Sequence, residues 1–241
     1  MRISAHRGAS PVAPENTLAA LREGLRVGAA GAEIDVRVTA DGEVVLLHDA
    51  TLDRTTSRTG LLRRCTLHEL TGVDAGGWRG ATWQGEPIPR LADLLAEWPR
   101  DRRLFIELKD GLELLAPLAQ VLRDRIGWDL VVLAFDGDLL RASQRVLPDR
   151  PHVRNVEAPP GAAERWFTDR VEEARAAGWA GLSFGVAAGW SADWPTRLRA
   201  AGLGCAVWTV DEVAQAGRLC ADGVDDLMTN DPGRLRREIG A

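Results

Sequence analysis

Short apolar runs rich in β-branched residues alternate along the chain with longer stretches whose apolar positions recur every three or four residues. The runs at 2–6, 32–38, 44–48, 104–109, 130–135, 153–156, 181–184, 205–210 and 226–229 read as strands. Between them, residues 16–28, with Leu18, Leu21 and Leu25 on one stripe, read as an amphipathic helix, as do 112–126, 138–146, 163–177, 194–201 and 213–221. Gly28, Gly178, Gly202 and Gly223 stand where such helices end. Repeated strand–helix alternation implies parallel strands joined by right-handed crossovers, in a barrel or a doubly wound sheet.

Nine strand candidates compete for the eight places of a (β/α)8 barrel. Thr39-Ala40-Asp41-Gly42 is a tight turn signal, so strands 32–38 and 44–48 are expected to run antiparallel as neighbours. A barrel distorted near strands 2 and 3 follows, because parallel crossovers cannot be that short. Residues 50–90 fit neither period. They hold six glycines with Trp78 and Trp83, and read as an insertion lobe capping the barrel mouth. The expectation is one α/β TIM-barrel domain over 1–241 with that insertion at about 50–90.

Composition narrows this further. With 241 residues, 45% of them hydrophobic, the chain can bury one sizeable core, and α/β barrels of this length are commonly single domains. A net charge of −5 gives no basic excess for nucleic acid or an anionic membrane. Cys65, Cys205 and Cys220 form no C-x-x-C pair, which fits a reducing compartment. No run reaches the ~18 apolar residues of a membrane span. An informative motif beginning at His6 leaves no room for a cleaved leader, so the expected location is cytoplasmic. Lys109 is the one lysine beside 29 arginines. A lysine kept in so arginine-rich a chain suggests a place where a compact ammonium is needed, with chance survival as the plain alternative.

The chemistry-bearing residues collect on strands. Residues two apart on a strand face the same way, so Glu33 and Asp35 point together while Ile34 and Val36 face the helices. Glu107 and Lys109 repeat the arrangement beside Ile106 and Leu108. Three acids inside a barrel are costly unless a divalent cation relieves them, and carboxylate oxygens suit Mg²⁺ or Ca²⁺. A buried Glu107–Lys109 ion pair is the plain alternative. His6-Arg7-Gly8 closes the first strand and His48-Asp49 closes another apolar run. Two of four histidines thus fall at strand ends, where barrels place their active sites. Such a pair can activate an attacking oxygen and protonate a leaving one. Glu15-Asn16-Thr17 precedes a helix and also reads as simple N-capping. Trp208 lies near the end of its strand and by itself says little, since the chain has nine tryptophans.

The ordered set of motifs is more specific than any one of them. H-R-G-A-S, P-E-N-T, E-I-D-V, T-A-D-G and H-D-A-T-L-D-R-T-T fill the segment from His6 to Gly60. T-L-H-E-L, I-P-R-L-A-D-L-L, I-E-L-K, A-F-D, V-W-T-V and D-G-V-D-D-L-M-T-N-D-P follow in order to Pro232. Together they resemble the glycerophosphodiester phosphodiesterase family over nearly the whole chain. The resemblance implies Glu33, Asp35 and Glu107 as ligands of one divalent cation and His6 and His48 as the acid–base pair. It implies Arg7 and Lys109 on the phosphate, Glu15 and Asn16 at the site, and Trp208 in the pocket wall. The activity implied is metal-dependent hydrolysis of glycerophosphodiesters to sn-glycerol 3-phosphate and an alcohol, through attack by water or by a glycerol hydroxyl. The substrate would be a small-molecule phosphodiester, with no nucleic-acid partner and no stable membrane insertion. Head-group cleavage of lysolipids is the alternative; a silent phosphate-binding barrel and a metal-dependent sugar isomerase are more distant ones. Asp211, Ala134 and Asp226 depart from the family pattern and are expected to tune the alcohol pocket. Residues 155–165 match no pattern.

Overall fold

The computed structural model describes residues 1–159, 164–186 and 189–240. Among the described residues one sheet has nine strands: β1 Arg2–His6, β2 Gly31–Val38, β3 Val44–Leu46, β4 Arg103–Leu108, β5 Leu130–Ala134, β6 His152–Glu157, β7 Gly181–Gly185, β8 Gly204–Trp208 and β9 Asp226–Thr229. They run in the order β1-β9-β8-β7-β6-β5-β4-β2-β3, and β1 also pairs with β2, which closes eight parallel strands into a (β/α)8 barrel. The ninth candidate finds its place outside the ring. β3 lies antiparallel against the end of β2, with Val36 opposite Leu46 and Val38 opposite Val44.

Helices α1 Leu18–Arg26, α2 Leu67–Leu70, α3 Leu91–Glu97, α4 Leu115–Leu122, α5 Gly137–Val146, α6 Glu164–Ala177, α7 Trp194–Ala200, α8 Val213–Asp222 and α9 Pro232–Ile239 follow in order. α1 starts at Leu18 because the Thr17 hydroxyl accepts from Ala20 N at 3.2 Å; Asn16, the other cap candidate, is used elsewhere. The pattern at 112–126 resolves into a 3₁₀ turn at Leu112–Leu114 and the shorter α4. Of the helix expected from residue 163 and the unmatched stretch 155–165, residues 160–163 lie outside the described residues. Among the described residues no helix is long and apolar enough to cross a membrane.

Strand parity sorts the side chains into two layers. Ile34 and Val36 of β2, and Leu104, Ile106 and Leu108 of β4, join the large core between sheet and helices. Phe105, Val131, Leu133, Val153, Ala206 and Met228 face inward and fill the barrel itself. At its N-terminal end Asp226, the first residue of β9, accepts from Arg2 Nε at 2.7 Å and Nη2 at 2.8 Å and from Arg103 Nη1 at 3.0 Å. Asp226 therefore closes the floor of the barrel and does not tune an alcohol pocket at the mouth, because a residue that begins a strand lies at the end opposite the strand termini.

The segment 50–90 packs around its own apolar cluster, including Leu52, Leu62, Leu70, Val73 and Ile88, with Val45 and Leu47 from the β3 region. Arg54 and Arg79 tie it to the loop between β1 and α1, through Glu15 and the Pro11 carbonyl.

Candidate active site

β1 delivers its last residue, His6, to the mouth of the barrel, and the chain then turns through Arg7 (φ 56°) and Gly8 (φ 87°). A Cβ at Gly8 would lie 2.6 Å from the backbone of Ala20, so only glycine lets the turn sit this close to α1. The turn leaves Arg7 N donating to the Glu33 carbonyl at 2.9 Å and to its Oε2 at 3.2 Å.

Strand register brings the acids together. His6 is aligned with Glu33 across β1 and β2, and Asp35 with Glu107 across β2 and β4. Neighbours in register on parallel strands share a face, so Glu33, Asp35 and Glu107 converge inside the barrel. Their ligand oxygens lie within 4.8 Å of one another, and all three residues are buried. Burial pushes Glu33 well above the usual carboxylate range, with the charges of Asp35 and Glu107 adding to it. Glu107 is raised by burial in spite of Lys109. Asp35, equally buried, is nonetheless held below the usual range by Arg7 and Lys109. Glu33 Oε1 has no hydrogen-bond partner among the described residues. An orphaned buried carboxylate oxygen between two other acids is the environment a hard divalent cation satisfies, and this donor set fits Mg²⁺ or Ca²⁺.

The cations frame this cluster. Arg7 Nε is 3.0 Å from Asp35 Oδ2, and Lys109 Nζ lies 2.5 Å from Glu107 Oε1 and 3.2 Å from Asp35 Oδ1. The Glu107–Lys109 pair weighed as the plain alternative is thus present within the acidic cluster rather than in place of it. Burial works against the Lys109 charge, but Asp35 and Glu107 outweigh it and raise its pKa.

Each histidine is oriented by a partner behind its ring. His6 Nδ1 is 3.0 Å from Asn230 Oδ1. The amide nitrogen of Asn230 donates to Asp211 Oδ2 at 2.7 Å, which fixes the oxygen toward His6. The Nδ1–H tautomer of His6 follows, with Nε2 turned toward Glu33 Oε2 at 3.9 Å. His48 Nδ1 is 2.6 Å from Asp49 Oδ1. Arg54 grips that carboxylate through Nε at 2.6 Å and also spans Glu15 at 2.9 and 2.8 Å. Glu15 in turn accepts from Arg7 Nη1 at 3.0 Å. Burial lowers the pKa of both histidines, with Arg7 contributing to each.

The structure gathers at this end of the barrel all ten residues that the resemblance assigns to the site. Asn16 bonds to Asp35 and Glu15 to Arg7 and Arg54, so neither is a simple cap. Trp208, at the end of β8, stands at 86° to Phe135 with centroids 5.6 Å apart, and Lys109 Nζ is 5.8 Å from the Phe135 ring. Arg54 and Asn230 were missed. Both lie inside quoted motifs, D-R-T-T and T-N-D-P, but nothing in local spacing gives them partners 39 and 224 residues away. Asp211 stands behind His6 through Asn230, and Ala134 does not tune a pocket at the mouth, because it is buried in the core between sheet and helices.

Residues 6–234 match the sequence model of the Glycerophosphoryl diester phosphodiesterase family. A glycerophosphodiester phosphodiesterase of Caldanaerobacter subterraneus subsp. tengcongensis is 30% identical over 240 residues, covering 97% of this chain and 95% of that protein. A phosphodiesterase of Oleispira antarctica, solved in complex with its product sn-glycerol-3-phosphate, superposes with a TM-score of 0.89 at 30% identity, covering 100% and 97% of the two chains. The glycerophosphodiester phosphodiesterase of Agrobacterium tumefaciens gives 0.80 at 27% identity over 98% and 99%.

Proposed function

The chain belongs to the glycerophosphoryl diester phosphodiesterase family, and from that premise we propose that it cleaves glycerophosphodiesters to sn-glycerol 3-phosphate and an alcohol at the Glu33–Asp35–Glu107 cluster. The observation that carries this reading is the convergence of those three acids, two cations and two oriented histidines at the C-terminal ends of the barrel strands.

Glu33, Asp35 and Glu107 would hold one Mg²⁺ or Ca²⁺, which supplies Lewis-acid stabilisation of phosphate charge when bound. Arg7 and Lys109 bind the non-bridging oxygens and stabilise the charge that builds up on them. One histidine, neutral, takes the proton of the attacking water, or of a glycerol hydroxyl that closes a cyclic phosphate which water then opens to sn-glycerol 3-phosphate. The other, protonated, donates to the alcohol oxygen as its bond to phosphorus breaks. Asn230 and Asp49 keep the two Nδ1 positions engaged and so direct Nε2 of each ring toward the reaction.

Release of glycerol 3-phosphate from glycerophosphocholine and glycerophosphoethanolamine, with chelator, Mg²⁺ or Ca²⁺ present, tests this. Metal-restored release is expected. Turnover of lysophosphatidylcholine in place of both diesters would move the substrate to lysolipids, and inertness toward all of them would overturn the reaction.

A further inference from the structure

Beside the phosphate-binding groups, the barrel mouth holds a cavity that the chemistry above leaves unused. At the ends of β6, β7 and β8, Glu157, Ala158, Gly185, Val186, Trp208 and Thr209 line a space of about 560 Å³. One end abuts the acid–base machinery, since Thr209 Oγ1 is 3.5 Å from His6 Nδ1. One wall is aromatic. Trp208 packs at right angles to Phe135, and Lys109 Nζ lies 5.8 Å from the Phe135 ring, so the ring pair links the phosphate site to the cavity.

The charge at the far side is of a different kind from that around the triad. Glu15, Asp35, Asp49 and Glu107 are each paired with arginine or lysine. Glu157, exposed at the end of β6, has no ion pair or side-chain hydrogen bond among the described residues. It flanks Trp208 across Gly185: a Cβ there would lie 3.3 Å from the indole ring and 3.4 Å from Glu157 Cγ. The missing side chain keeps the space between ring and carboxylate open. An unpaired carboxylate beside aromatic rings attracts an organic cation, through charge and through the negative faces of the rings. A neutral alcohol gains neither interaction, and an anionic one is repelled.

We propose that this cavity is the subsite for the departing alcohol and that it selects a cationic amino alcohol, choline or ethanolamine, over neutral ones. The proposal rests on the reaction assigned above. A diester whose phosphate lies among Arg7, Lys109 and the acids would place its ammonium between Trp208 and Glu157.

The test compares kcat/KM for glycerophosphocholine, glycerophosphoethanolamine and glycerophosphoglycerol in the wild type, Glu157→Gln and Phe135→Leu, with the ion that supports turnover. The two diesters with a cationic alcohol are expected to lead the one with a neutral alcohol by about tenfold, and Glu157→Gln to remove most of that lead. Equal rates in the wild type, or a lead untouched by both variants, would overturn the subsite. Choline binding, followed by saturation-transfer NMR without turnover, keeps the two readings apart. Binding to the wild type that weakens about tenfold in Glu157→Gln supports the subsite even if no diester is cleaved. No binding to the wild type overturns it whether or not the diesters are cleaved.

Discussion

Asn16 holds Asp35 from two directions: its Nδ2 donates to Asp35 Oδ2 at 2.8 Å, and its Oδ1 accepts from Asp35 N at 3.1 Å. The contact needs a left-handed backbone at Asn16 (φ 55°), a conformation that asparagine tolerates better than most residues. Partners that orient a metal ligand commonly contribute 10–100-fold in affinity. Asn16→Ala is therefore expected to weaken divalent-cation binding by roughly that factor, read by titration calorimetry. Asn16→Gly relaxes the backbone without restoring the amide and should be equally weak. Recovery in the glycine variant would show that backbone strain, not the amide, is responsible.

The histidines carry the second prediction. Alanine at His6 or His48 removes a proposed proton-transfer group and should lower kcat by roughly 10²-fold or more, with a smaller effect on KM. Turnover close to wild type in either variant would sink the assignment of that ring.

Much of this site was legible because it is written in strand parity. Glu33 and Asp35 alternate with Ile34 and Val36, and Glu107 with Ile106 and Leu108, so the inward set follows from period two alone. Which strands would stand side by side was not legible locally, and the alignments His6–Glu33 and Asp35–Glu107 depend on barrel closure. Arg54 and Asn230 act across 39 and 224 residues of sequence, where no periodicity reaches. α9 could have been read, since Asp231 caps Arg234 N and Pro232 takes the first turn, a common helix start. Residues 44–48 read as one strand, but β3 ends at Leu46, before His48, which turns toward Asp49.

Asp226 shows what the sequence misplaced, and yields the third prediction. It is 4% exposed and satisfies Arg2 and Arg103 at the floor of the barrel. Asp226→Ala leaves two guanidinium groups without that carboxylate. Removing one partner of a buried pair costs about 3–5 kcal/mol, but both arginines are partly solvated, so about 2 kcal/mol is expected in urea unfolding. The folded variant should keep its kcat, because this cluster lies at the end of the barrel opposite the acids. A large drop in kcat at full folding would mean that floor and mouth are coupled.

Glu33 makes a prediction that joins metal, pH and stability. Burial and the charges of Asp35 and Glu107 raise its pKa well above normal in the metal-free protein. From about pH 4.3, where an unfolded glutamate titrates, up to that raised value, the folded chain binds more protons at this site than the unfolded chain. Its stability contribution therefore falls as pH rises through the window. Glu33→Gln removes that penalty, so the metal-free variant should gain on the wild type in Tm between pH 5 and pH 8. Added Mg²⁺ or Ca²⁺ reverses the order. An ion at 100 times its Kd stabilises the wild type by about 2.7 kcal/mol, while the variant, lacking one of three carboxylates, should show little rise. Differential scanning calorimetry at both pH values, with chelator and with ion, reads all four states. A metal-free variant that loses ground to the wild type as pH rises would show that Glu33 is ionised at little cost, and that the cluster is already satisfied by Arg7 and Lys109 without an ion.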